Sequence, residues 1–171
     1  MATTMKLIAS QTLGSEAALV TFSSIPAIYD DLLILITARS NRTGTTADQM
    51  TMTFNGTSAT NHSSRLLEGN GSTVASYSYT NDAYAGTLPP DGYTSNTFAS
   101  IEIYIPNYAG STNKSWSSTG VCETNGTTAY IDAFAGLWSS TAAITEINLA
   151  SVSTRKMVSN SSFFLYGITK A

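Results

Sequence analysis

Met50-Thr51-Met52-Thr53-Phe54-Asn55-Gly56 alternates large apolar side chains with hydroxyls and then stops on a turn pair. In an extended strand, successive side chains point to opposite faces, so Met50, Met52 and Phe54 meet a core while Thr51 and Thr53 meet water. A helix would spread the same residues around its circumference. Asn and Gly tolerate the positive φ of tight turns, so Asn55-Gly56 ends the strand.

The same period of two recurs on either side. Leu33, Leu35 and Thr37 alternate with Leu32, Ile34 and Ile36, which makes that strand apolar on both faces and therefore central. Ile101, Ile103 and Ile105 alternate with Glu102 and Tyr104 and end at Pro106-Asn107. Ile131, Ala133, Ala135 and Leu137 alternate with Tyr130, Asp132 and Phe134, and this spacing puts Asp132 and Glu102 on outward, polar faces. Further strands are expected at residues 6–11, 18–22, 65–68, 74–79, 114–122, 144–150 and 162–168, with a short helical turn at 25–31. About ten or eleven short strands between Gly, Asn, Ser and Pro turns predict an all-β, antiparallel two-sheet β-sandwich, jelly-roll-like, in one domain spanning residues 1–171.

Composition narrows the function. Asp, Glu, Lys and Arg make up only 11% of the chain, against about 25% in ordinary domains. A net charge of −3 offers nucleic acid no clustered cations. Ser and Thr number 50 together, so the surface is hydrated by hydroxyls rather than charge. No apolar run is long enough to span a bilayer or serve as a signal peptide, so neither a membrane partner nor export is expected. The single cysteine, Cys122, allows no internal disulfide and is expected to be buried as a small apolar group.

Reactive residues are few. His62 is the only histidine and reads as a solvated loop residue past the Asn55-Gly56 turn. One His and one Cys fall short of a zinc site, and no phosphate-binding or calcium loop occurs, so no cofactor is expected. Asp30-Asp31 reads as the wet end of the following strand. Glu102 and Asp132 would form a glycosidase pair only if their strands were neighbours, since that chemistry needs two carboxyl groups about 5 to 10 Å apart. No enzyme activity is expected. The segment most suited to binding is residues 72–97, which reads as a long Tyr/Ser-rich insertion loop carrying Tyr77, Tyr79, Tyr84 and Tyr93. Tyrosine in such a loop supplies wide amphipathic contact at low entropy cost, which suits a partner protein or a glycan.

Five stretches carry a resemblance: QTLGSEAALVTFSSIPAIYDDLLILITARS (11–40), FNGTSATNHSSRLLEGNG (54–71), IEIYIPNYAGSTNKSWSS (101–118), AGLWSSTAAITEINLAS (135–151) and FFLYGI (163–168). They resemble small structural proteins encoded by tailed bacteriophages and prophages, with residues 72–97 matching least. The matching motifs are strand and turn signatures that transfer no catalytic residue. The resemblance implies a virion component assembled in the bacterial cytoplasm, homo-oligomeric, with a trimer favoured. The first strand begins by residue 6 with no shaft before it, which favours a compact capsid decoration or cement subunit bound to the major capsid protein. The alternative is a tail-fibre or baseplate domain contacting a host-surface glycan.

Overall fold

The computed structural model describes residues 4–126, 128–152 and 155–170. Its strands are β1 (Thr4–Thr12), β2 (Leu19–Phe22), β3 (Asp31–Ala38), β4 (Asp48–Phe54), β5 (His62–Gly69), β6 (Val74–Thr80), β7 (Tyr84–Leu88), β8 (Ala99–Pro106), β9 (Lys114–Cys122), β10 (Tyr130–Trp138), β11 (Ile147–Ser151) and β12 (Ser162–Thr169). All pairings are antiparallel. They form an eight-stranded sheet, β1-β12-β3-β8-β9-β10-β5-β6, and a four-stranded sheet, β2-β11-β4-β7. Setting aside β5-β6 and β9-β10, the remaining strands cross between layers at every step except β4 to β7, forming two Greek keys, a jelly roll. The two inserted hairpins extend the larger sheet on one side only.

Alternation builds the core. Met50, Met52 and Phe54 are fully buried while Thr51 and Thr53 are half-exposed. Leu32, Ile34 and Ile36 face the same seam, with Ile101, Ile103 and Ile105 beside them in register on β8. β3 lies between β12 and β8, and its second apolar row, Leu33 and Leu35, is half-buried on the outer face. Asn55 and Gly56 both have positive φ, as the turn requires. Their turn leads not into a hairpin but into a short 3₁₀ segment, Ala59–Asn61, that carries the chain from the small sheet to the large one.

Several sequence expectations are corrected. Where the sequence predicts a helical turn at 25–31, residues 25–30 form a non-helical turn and Asp31 opens β3, buried. Its carboxylate accepts from Asn107 N–H at 3.0 Å, Lys170 Nζ at 2.7 Å and the Tyr104 hydroxyl. Burial alone would raise this carboxyl, yet those bonds together hold it below its ordinary value. β10 presents the opposite face from the one its polarity indicates. Phe134 and Trp138 point inward with Asp132, whereas Ile131 and Leu137 are exposed. The reason is volume: the two large rings fill the interlayer space, and Gly136 leaves room for Trp116, whose ring lies 1.9 Å from where a Cβ would stand. His62 is buried rather than solvated. It stacks on Trp138 at 6.1 Å between ring centroids and also meets Phe54 and Trp116. Burial pushes its imidazole pKa down, offset in part by the backbone of Ser58 and Ala59.

Residues 72–97 are not one long loop. β6 and β7 occupy 74–80 and 84–88, one at the edge of each sheet. The long irregular stretch is 89–98, between β7 and β8, and it is clamped by Arg39. Its guanidinium donates to the carbonyl oxygens of Asp91, Tyr93, Thr94 and Thr97 at 2.9–3.1 Å.

Candidate docking surface

The two inserted hairpins generate a broad outer face whose rows follow directly from register. Across β6, β5, β10, β9 and β8, one row reads Val74, Gly69, Ile131, Val121 and Ser100. The next reads Ser76, Leu67, Ala133, Thr119 and Glu102. Val74 is 78% exposed, Ile131 64%, Leu67 55% and Val121 46%, so four aliphatic side chains meet water in adjoining positions. They line an open trough of about 620 Å³. Single exposed aliphatics are ordinary, but a contiguous group marks an interaction surface. Around it the polar groups are mainly Ser and Thr hydroxyls, with Glu102 as the charged residue of these two rows.

No family model, curated protein or solved structure matches the chain.

The tyrosines divide. Tyr77 and Tyr79 project from β6 toward the interior side, stacked at 6.2 Å, and Tyr84 from β7 meets Tyr79 edge-on at 4.7 Å. This trio joins the two layers at their open margin, with Tyr77 still 45% exposed. Glu68 lies beside it; burial raises its carboxyl pKa and the Tyr77 hydroxyl offsets part of that rise. Burial likewise raises the Tyr79 and Tyr84 phenols. Tyr93 is elsewhere, with its ring against Gly126 and its carbonyl held by Arg39.

Glu102 and Asp132 do not form a pair. β9 separates their strands, and the register sets them on opposite faces: Glu102 lies opposite Thr119 outside, Asp132 opposite Gly120 inside. Asp132 is 4% exposed and neither carboxylate oxygen has a well-formed hydrogen bond. Burial raises its pKa, and Thr87 on β7 offsets only part of the effect. Cys122 is a buried free thiol pushed up to about 12, chiefly by burial and then by the Asp132 charge. Such a thiol carries almost no nucleophilic thiolate at neutral pH. Among the described residues, no group of three His, Cys, Asp or Glu side chains is arranged to hold a metal ion.

The outer row escaped the sequence reading for a definable reason. Ile131 belongs to an alternating set that polarity alone assigns to the core. The usable signal was Leu66-Leu67, since adjacent apolar residues in a strand must send one outward.

Proposed function

We propose that this chain is a non-enzymatic structural protein of a tailed-bacteriophage virion, a decoration subunit that stabilises the head by docking on the capsid shell. The observation that carries the reading is the outer row Val74, Ile131 and Val121 with Leu67 beside it, four aliphatic groups on an open sheet face. Apolar area of this kind returns free energy when a partner covers it. A ligand that binds only the assembled shell shifts the equilibrium toward that shell. The hydroxyl-rich remainder of the surface limits adhesion to other molecules without needing a high net charge.

The Tyr77–Tyr79–Tyr84 trio beside Glu68 favours a second reading, a receptor-binding domain that stacks a host glycan on Tyr77. Ile131→Glu and Tyr77→Ala separate the two. In the decoration reading, Ile131→Glu lowers affinity for purified undecorated heads at least tenfold, about 1.4 kcal/mol, and particles made with it lose heat resistance. Tyr77→Ala leaves both properties unchanged. In the receptor reading, Tyr77→Ala abolishes adsorption while particle stability holds. Heads that bind both variants like the wild type would refute docking through this face. The trimer implied by the resemblance competes with a two-fold assembly, and the sedimented mass distinguishes them.

A further inference from the structure

The four sheet edges are unequal. Sheet edges invite strand pairing unless they are short, bulged, charged, proline-bearing or covered. β1 carries Lys6 and a register break between Leu7 and Ala9. β2 spans four residues. β7 spans five, four of them buried. β6 has none of these protections: Val74-Ala75-Ser76-Tyr77-Ser78-Tyr79-Thr80 is regular, uncharged, free of proline and mostly exposed along its whole length.

The hydrogen-bond phase of β6 follows from its two ends. Asn81 N–H donates to His62 O, and Asn70 N–H donates to Thr73 O. Those bonds fix residues 75, 77 and 79 as the ones whose backbone groups turn toward β5, because the two kinds of antiparallel pair alternate. The N–H and C=O of Val74, Ser76, Ser78 and Thr80 therefore turn outward, in the plane of the sheet.

We infer that β6 pairs with β6 of a second copy, antiparallel about a two-fold axis at Tyr77, joining the two large sheets into one. This is the register in which each outward residue meets another: Val74 faces Thr80 of the second copy, and Ser76 faces Ser78. Four such pairs across the axis give on the order of eight hydrogen bonds. Side chains agree with the pairing. Ser and Thr meet hydroxyls or Val74 on one face, and on the other Tyr77 meets its own copy while Ala75 gives space to Tyr79. No like charges face each other, and an isologous contact closes on itself. The inference is independent of where the protein acts.

Ser78→Pro tests it without disturbing the fold, because the amide removed is one that turns away from β5. In sedimentation equilibrium the wild-type chain is expected at twice the monomer mass and Ser78→Pro at the monomer mass, with unchanged circular dichroism. Register is read separately in a Cys122→Ser background. Tyr77→Cys places the thiols at a two-fold, non-hydrogen-bonded pair, where the backbones approach to about 4.5 Å, within disulfide reach. It should oxidise to a covalent dimer, whereas Val74→Cys, facing Thr80, should not. A monomeric or trimeric wild type would overturn the inference. So would a dimer that survives Ser78→Pro, or one in which Val74→Cys cross-links and Tyr77→Cys does not. Protection of β6 amides from hydrogen exchange only when virion shell is added would instead assign the edge to another protein's strand and equally reject self-pairing.

Discussion

Arg39→Met should lower the unfolding free energy by about 3 kcal/mol or more, at the severe end for a single substitution. Arg39 is 4% exposed and has no carboxylate among its hydrogen-bond partners. Its charge is met instead by carbonyl dipoles of residues 91, 93, 94 and 97 and by the Thr97 hydroxyl. Each charge-assisted bond contributes about 1.5–3 kcal/mol net of exchange with water, and the bonds do not add in full because they share one guanidinium. Buried Pro89 and Pro90, with backbone bonds from Ser40 N–H to Pro89 O and from Asp91 N–H to Arg42 O, tie down the start of the loop, so the guanidinium fork is what orders the largely exposed stretch 91–97. Arg39→Lys should recover less than half of the loss. An ammonium is a point donor at the end of a flexible stem and cannot span four carbonyls that a planar five-donor group reaches together. Urea titration gives the free energy, and limited proteolysis gives the place: new cleavage should appear between residues 91 and 97 in both variants. A midpoint within error of the wild type for Arg39→Met would mean that the loop is held by something else.

That clamp also shows where sequence stopped being readable. Alternation located eleven of the twelve strands, most of which bury apolar side chains at every second position. β7 was missed, since Tyr84-Ala85-Gly86-Thr87-Leu88 is made small by its position. A Cβ at Gly86 would come within 2.6 Å of Ile101 Cδ1. Close approach of the layers therefore selects residues that carry no hydrophobic period, and β7 with its connections reads as polar loop. Face assignment failed on β10 for a related reason. Polarity places Asp132 outside, but the interlayer volume is matched by Phe134 and Trp138, which share its phase. The candidate surface inherits both effects. Its outer row is centred on Ile131, which alternation sets with the core, and three of the four expected tyrosines meet through tertiary packing, while Arg39 and its loop carry Tyr93 away. Strand order, which decides that β5-β6 and β9-β10 widen one sheet, depends on pairings far apart in the chain and leaves no local trace.

Asp132 is the costliest consequence of that inverted face, and removing its charge should stabilise the protein. Its carboxyl faces the interlayer space beside Gly120, whose missing side chain makes the room: a Cβ there would lie 2.6 Å from Asp132 Oδ1. With no well-formed partner for either oxygen, ionisation is penalised by burial, and the nearby Glu68 charge adds to the penalty. The folded pKa is thus raised above the ordinary 3.8. The folded state holds this proton more tightly than the unfolded state, so the associated stability is present in acid and lost as pH rises from 3.8 through the folded pKa. Asp132→Asn keeps the shape and removes the titration. It should be more stable than the wild type at pH 7 by about 1–3 kcal/mol. That advantage should shrink as pH falls and vanish below 3.8, where both side chains are neutral. Groups common to the two proteins cancel in the difference, so denaturant midpoints measured in parallel from pH 3.5 to 8 isolate this one carboxyl. A difference that is constant with pH would place Asp132 in water, and one that grows toward acid would give it a cationic partner.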